Sequence, residues 1–126
     1  MNTQLKQEAQ AKYESFLSEV ENTLITEEAK NILLLAPTKW ATYVGGAIRN
    51  LINSEGLEAD ERLMYKQTMV NVHERIAVKM SLAKFVEWLD SAEYRLEAFE
   101  GTQLQLFCNN QDVYDVLEKI CDDFDL

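Results

Sequence analysis

The sequence contains little glycine and almost no proline, with four Gly and one Pro in 126 residues. Because β-rich folds need many turns, this scarcity favours helices joined by short connections. The longest apolar run, residues 32–36, is far too short to span a membrane. The polar N-terminus shows no signal peptide. We therefore expect one cytoplasmic domain over residues 1–126, mainly α, built as a bundle of five or six helices.

Residues that usually carry chemistry are equally scarce. His73 is the only histidine, and Cys108 and Cys121 are not spaced as metal ligands. Two thiols in a chain so poor in cysteine suit a reducing compartment. No glycine-rich phosphate loop, CxxC pair or HExxH motif is present. These absences predict no catalytic residues, no metal and no cofactor, and hence a protein that is not an enzyme.

Negative charge is concentrated at one end of the chain. The net charge is −10. Residues 1–86 have ten Lys or Arg against eleven Asp or Glu, whereas residues 87–126 have two against eleven. The electric field of so many negative charges repels nucleic acid and anionic membranes and attracts basic partners. It therefore excludes direct nucleic-acid binding and predicts a partner protein with a basic surface.

Apolar spacing of three and four residues predicts helices over 3–24, from Thr26 to before Pro37, from Pro37 to about Ser54, and over 58–80. The first helix would bury Leu5, Ala9, Tyr13 and other apolar residues at this spacing. Gly45 and Gly46, in the middle of the third helix, indicate either a close approach by a neighbouring helix or a kink, and we favour the close approach. A last helix, with its N-cap at Asn110, would complete the bundle.

The region from 82 to 108 allows two interpretations. Apolar residues from Leu82 to Phe99 recur at heptad spacing and favour one long helix capped by Ser81 and ended by Gly101. In the alternative, residues 94–108 form a β-hairpin that turns at Glu100 and Gly101, because residues 103–108 partly alternate. We expect the helix, with at most one short β element near residues 102–108.

On that long helix, carboxylates repeat every three or four residues and form an acidic stripe beside the apolar face. Like charges at this spacing repel, and several would lie near helix C-termini, where the dipole disfavours anions. This cost suggests a functional surface, although a solvated face that aids solubility has the same pattern. Trp88 and Tyr94 lie off the heptad positions and are either buried on a second face or exposed as partner anchors. The predicted partner-binding residues are Glu87, Asp90, Glu93, Tyr94, Glu97, Glu100, Asp112, Asp115, Asp122 and Asp123.

Two carboxylate pairs, Glu58-x-x-Glu61 and Glu87-x-x-Asp90, resemble the ExxE…ExxD metal signature of all-α nucleotide pyrophosphohydrolases related to MazG. In that family four carboxylates on two facing helices bind Mg²⁺ at a nucleotide triphosphate. The resemblance, which covers these four residues, implies a magnesium-dependent hydrolase. The predicted helix order argues against it, because a turn near Ser81 would leave Glu61 roughly 20 Å from Glu87.

These observations favour a non-enzymatic acidic protein that binds a basic surface of a partner. A nucleic-acid-binding groove, such as that of a nuclease, is the surface that carboxylates would block, so the protein would act as an inhibitor or nucleic-acid mimic. Phage inhibitors and bacterial immunity or antitoxin proteins act on the same physical basis. A structural subunit of a homodimer or larger complex, which would bury the apolar run at residues 32–35, is the alternative. The magnesium-dependent hydrolase is the second alternative.

Overall fold

The computed structural model describes residues 2–54 and 56–126, and it is mainly α-helical, as predicted. A small antiparallel hairpin interrupts the helices. In chain order the elements are α1 (Asn2–Glu19), α2 (Glu27–Leu33), a 3₁₀ turn (Pro37–Lys39), α3 (Trp40–Ser54), α4 (Ala59–Thr68), α5 (Val72–Lys79), α6 (Leu82–Ala92), β1 (Arg95–Ala98), β2 (Leu104–Phe107) and α7 (Val113–Asp123).

The second half of α1 packs on the core through buried Leu17 and half-buried Tyr13 and Phe16. The side chains predicted to begin this apolar face, Leu5 and Ala9, lie outside the described residues. The helix ends at Glu19, five residues before the predicted end, and the chain turns through residues 20–24.

Buried Lys30 of α2 stabilises the turn after α1. Its ammonium group donates hydrogen bonds to the Val20 carbonyl and to the Asn22 side chain. Because a buried ammonium must be hydrogen-bonded, these two acceptors explain how a lysine that is 5% exposed is tolerated here. Thr26 caps α2 as predicted, accepting a hydrogen bond from the Ala29 amide at 3.3 Å.

The close approach predicted at Gly45 is confirmed. A Cβ atom built on Gly45 would lie 3.0 Å from the Cβ of His73 on α5, so only glycine lets the two helices approach so closely. At Gly46, apart from the adjoining residues and the backbone of the same helix turn, no atom of the described residues lies within 4 Å of such a Cβ. The approach places α5, and the Met80–Ser81 link after it, beside the start of α6.

The helix predicted over 58–80 is wrong in its middle, because α4 ends at Thr68 and α5 begins at Val72. Met69 and Val72, on either side of the break, are both fully buried. The turn therefore redirects the chain while both apolar side chains stay in the core. Asn71 at the N-cap of α5 is the sequence signal for this turn, which contains neither glycine nor proline.

The long helix predicted to reach Gly101 is also wrong, and the hairpin alternative is correct. Helix α6 ends at Ala92, and the next residue, Glu93, is left-handed with φ of 62°. The Tyr94 amide donates to the Leu89 carbonyl at 2.9 Å and the Glu93 amide to the Asp90 carbonyl at 3.2 Å. These two bonds form a Schellman motif, in which Glu93 occupies the position that glycine usually takes.

The hairpin is tied to the core along one face and one edge. Leu96 of β1 pairs with Leu106 of β2, and both side chains are buried, as is that of Leu104. The second edge of β1 pairs with the segment before α2, where the Leu96 amide donates to the Leu24 carbonyl at 2.8 Å. The Asn50 side chain of α3 donates to the Leu104 carbonyl at 2.8 Å, which fixes β2 against α3.

Helix α7 is capped by Asp112. The prediction of Asn110 as its N-cap is therefore wrong. The Asp112 carboxylate accepts a hydrogen bond from the Tyr114 amide at 2.8 Å, whereas Asn110 lies before the helix with φ of 68°. The inward side of α7 joins the same core as the other elements. None of the helices in the described part of the chain has the length and apolarity that a bilayer crossing would need.

Candidate functional site

The structure distributes the predicted acidic stripe over several elements. Glu87 and Asp90 lie on α6, Glu93 lies in the turn after it, Glu97 lies on β1 and Glu100 lies in the hairpin turn. The prediction of one continuous helical stripe is therefore wrong. Its physical cause is the end of α6 at Ala92, beyond which the side chains no longer repeat every three or four residues.

Local cations also hold part of the negative charge. Among residues 79–126, ion pairs join Lys84 to Glu87 at 3.2 Å, Arg95 to Glu97 at 3.1 Å, Lys119 to Asp123 at 2.9 Å and Lys79 to Asp125 at 2.6 Å. The pair at Glu87 is exposed on both sides and is therefore weak and readily replaced by another cation. Glu97 is less available, because Arg95 is itself held over the Phe107 ring at 4.3 Å.

Tyr94 is buried and Trp88 is half-buried against the core, so Tyr94 has almost no surface for the predicted contact with a partner. Tyr94 is 2% exposed, and its ring lies 5.4 Å from that of Trp88. The Trp88 ring also lies 5.6 Å from Phe85 and 5.3 Å from Phe124. Trp88 packs on a second face of α6, towards the end of α7, and Tyr94 packs beside it just after α6, so burial is the outcome of the two that were predicted.

Asp123, another predicted partner-binding residue, is engaged inside the molecule. Its carboxylate accepts a hydrogen bond from the Trp88 indole at 2.8 Å and pairs with Lys119. Burial alone would raise the pKa of Asp123, but the Trp88 hydrogen bond and Lys119 outweigh it and hold the pKa below the ordinary value. Asp112 is likewise occupied as the cap of α7.

Tyr94 is expected to be the last tyrosine to ionise. Burial, followed by the nearby Cys108, Asp123 and Asp115, raises its pKa to about 12. Because the folded-state pKa is raised, the stability from neutral Tyr94 is complete below the ordinary value of 10 and is lost as the pH rises towards 12. An ultraviolet titration of Tyr94→Phe should lack the highest step while keeping the lower ones. A titration unchanged near pH 12 would contradict the burial of this hydroxyl.

Four carboxylates surround a concave site between α1 and α6, which we call the acidic groove. Its volume is about 430 Å³. Glu19 and Glu21 come from the end of α1 and the turn after it, and Glu87 and Asp90 come from α6. The other lining residues are Phe16, Val20, Leu24, Ala83 and Val86, so the described lining contains no Lys or Arg.

Helix dipoles add to the negative potential of the acidic groove. Glu19 is the last residue of α1 and Asp90 lies in the last turn of α6, so the negative ends of both helices adjoin the groove. The buried Lys30 ammonium, which donates to the Val20 carbonyl, offsets part of this potential at the end of α1. Glu19, Glu21 and Asp90 form no ion pair with any described residue, so their charge remains available to an outside cation.

A smaller depression continues the groove towards the hairpin. It shares Leu24 and Asp90 with the acidic groove and is also lined by Glu93 and Arg95. Because Arg95 pairs with Glu97, the carboxylates of Asp90 and Glu93 give the depression its net charge. Three of the predicted partner-binding residues, Asp90, Glu93 and Tyr94, thus line this depression, near Glu87.

A second acidic surface lies on the outer side of α7, and we call it the α7 face. Asp115, Glu118 and Asp122 are exposed and recur at steps of three and four, which places them on one side of the helix. Glu118 and Glu61 both raise the pKa of Tyr65, after burial, and therefore lie near that hydroxyl. The α7 face is a single convex helix surface, whereas the acidic groove is concave and partly apolar.

The carboxylate pairs of the metal signature do not assemble. Glu58 precedes α4 and Glu61 lies near Tyr65, whereas Glu87 and Asp90 line the acidic groove. In residues 2–54 and 56–126, no group of three or more His, Cys, Asp or Glu side chains could hold a metal ion. The arrangement on two facing helices that the resemblance implies is therefore not formed by these four residues.

Protein families, characterised proteins and solved structures were compared with this chain, and none matches. Function is therefore inferred from the side chains and their surroundings alone.

Glu19 and Glu21 are the site residues that sequence reasoning missed. They lie in the half of the chain whose charges nearly balance, about 70 residues from Asp90. Helix periodicity describes one helix at a time, so it cannot show that the end of α1 packs beside α6. The C-terminal position of Glu19, unfavourable for the helix dipole, could not serve as a signal, because the sequence predicted the helix to continue to residue 24.

Proposed function

We propose that this protein is a non-enzymatic interaction protein that binds a Lys/Arg-rich surface of another protein through the acidic groove. The observation that carries this proposal is the convergence of Glu19, Glu21, Glu87 and Asp90 on one concave, partly apolar site. A cleft lined by one sign of charge, with walls of low dielectric constant, concentrates the field and speeds association with the opposite charge. The Phe16 and Val86 side chains can in turn cover the aliphatic stem of a bound lysine or arginine.

The finer proposal is inhibition of a nucleic-acid-binding protein. Surfaces that bind nucleic acid are rich in Lys and Arg, because these residues neutralise phosphates. An acidic groove that occupies those cations excludes the nucleic acid by competition. The same charge keeps the protein itself away from nucleic acid and from anionic membranes.

Matched charge variants test whether the groove is the binding site. The groove variant carries Glu21→Gln, Glu87→Gln and Asp90→Asn, and the α7 variant carries Asp115→Asn, Glu118→Gln and Asp122→Asn. Each removes three negative charges, so the two have the same net charge. The probe is a fluorescently labelled oligolysine peptide, whose dissociation constant is measured at low and at raised salt.

We expect the groove variant to bind the probe roughly 10- to 100-fold more weakly, at about 0.5–1 kcal/mol for each lost charge. The dissociation constant of the α7 variant should stay within about threefold of that of the original protein. The charges on the α7 face act on the probe only at long range, where salt screens them. Equal losses in both variants would show that net charge, and not the groove, attracts the probe. Failure of the original protein to bind at low salt would overturn the proposal.

A subunit of an oligomer is the second candidate, although the run at residues 32–35 no longer supports it. Ile32 and Leu33 are buried within the chain, and of that run Leu35 is the large exposed residue at 63%. The supporting observation is instead on α4 and just after it, where Leu63 and Val70 are each about 60% exposed. Light scattering that finds a monomer at every concentration would remove this candidate.

A further inference from the structure

A second, mainly apolar groove adjoins the acidic groove. Its volume is about 600 Å³. Phe16 and Ala83 line both grooves, so the two grooves are adjacent along α1 and α6, and we call the pair the channel. The side chains that make this end apolar include Tyr13, Phe16, Trp40, Met80, Leu82 and Ala83.

The channel changes from apolar to acidic along its length. Tyr13 on α1 and Leu82 on α6 line the apolar end, and Glu19 and Asp90 line the acidic end. Both helices therefore run in the same direction along it. The nine residues from Leu82 to Asp90 are separated by eight steps and span about 12 Å at the rise of an α-helix, which is about two helical turns of an occupant.

The walls decide which backbone conformation fits. The amides and carbonyls along α1 and α6 are used inside those helices, so the channel offers no strand edge with which an extended peptide could pair. A helix needs no such edge, because it satisfies its own backbone groups. An apolar groove between helices is accordingly a common site for an amphipathic helix.

We infer that the channel binds an amphipathic α-helix of a partner protein, with its apolar side chains over Phe16 and Met80 and its Lys or Arg residues beside Glu21 and Asp90. This inference rests on the proposed function, for which it specifies the partner's chemistry. Charge complementarity decides which end of the channel the cations occupy, because Lys12 lines the apolar end and disfavours cations there. A helix with its cations clustered at one end meets both requirements.

Two synthetic peptides of identical composition test this inference. One places leucines at steps of three and four and clusters its lysines at one end. The other is a scrambled peptide of equal charge without an apolar face. We expect the amphipathic peptide to bind roughly tenfold or more tightly than the scrambled one, since only it buries leucine in the channel.

A variant whose channel is filled by a large side chain tests whether the peptide binds there. Ala83 is exposed and lines both grooves, so Ala83→Trp should remove the advantage of the amphipathic peptide while the fold is kept. The control is Ala98→Trp, at an exposed position on β1 outside the channel, which should retain the advantage. Circular dichroism of both variants checks that each is folded.

The outcomes separate this inference from the proposed function. If both peptides bind equally and release with salt, and Ala83→Trp has no effect, the helix inference is overturned and the acidic groove stands. If neither peptide binds at low salt, both proposals fail. If sedimentation shows self-association that Ala83→Trp abolishes, the occupant is a second copy of this chain, which also overturns the inference.

Discussion

Replacing Phe85 by alanine is expected to lower the free energy of unfolding by about 3–5 kcal/mol, the usual loss for a fully buried aromatic side chain. Phe85 is 0% exposed, and its ring lies between those of Trp40 at 5.5 Å and Trp88 at 5.6 Å. Truncation therefore leaves a cavity bounded by two large rings that cannot both move in to fill it. Urea unfolding followed by tryptophan fluorescence measures the loss directly.

Phe99→Ala is the matched control for this truncation. Phe99 is 43% exposed beside the hairpin turn, so its loss should be within about 1 kcal/mol. Equal losses in the two variants would contradict the placement of α6. Phe85→Ala should also disturb the acidic groove, because Phe85 packs the inner side of the helix whose outer side carries Glu87 and Asp90.

Replacing Gly45 by valine is expected to cost about 1–3 kcal/mol, the usual penalty for overpacking a core. The new Cβ would lie 3.0 Å from the Cβ of His73 and 3.4 Å from its backbone nitrogen, and the branched side chain adds further atoms. Helices α3 and α5 would have to separate. Thermal unfolding of the purified variant is the measurement.

The adjacent glycine gives this prediction its control. Gly46→Val has no described atom within 4 Å of the new Cβ, and valine has a slightly better helix propensity than glycine. Its stability should be unchanged or slightly raised. The two variants differ by one position in the sequence, so similar losses would show that the helix interior, and not the α3–α5 contact, resists the substitution.

Local sequence patterns predicted the start of most helices but missed several ends. Thr26 and Ser81 act as N-caps because a hydroxyl before an apolar repeat has a direct physical role there. Ends were harder to see because this chain rarely uses glycine to stop a helix. Glu93 after α6 and Asp125 after α7 take left-handed conformations where glycine is commoner, so the sequence has no glycine to indicate these helix ends.

The long-helix error has a specific cause. Leu96 is fully buried, as it would have been on the predicted helix, so the apolar spacing continues by coincidence from α6 into β1. Phe99, the last residue of that pattern, is 43% exposed. The partial alternation of Leu104 and Leu106 was the better indicator, since both are buried on one face of the hairpin.

The site was less predictable than the fold. Asp90 and Glu87 were identified from charge alone, but their neighbours Glu19 and Glu21 depend on packing between distant helices. Charge counting also cannot separate an available carboxylate from one that caps a helix, as Asp112 does, or one that accepts an indole hydrogen bond, as Asp123 does. Those roles appear only when the partner atoms are placed.

The most direct test of the account is to locate where a basic ligand binds. Titrating the ¹⁵N-labelled protein with oligolysine at low salt should shift the backbone amide signals of residues 19–24 and 86–93, at the acidic groove. The signals of residues 115–122, on the α7 face, should change little. Shifts concentrated on the α7 face, or spread evenly over all acidic residues, would contradict the assignment of the groove as the binding site.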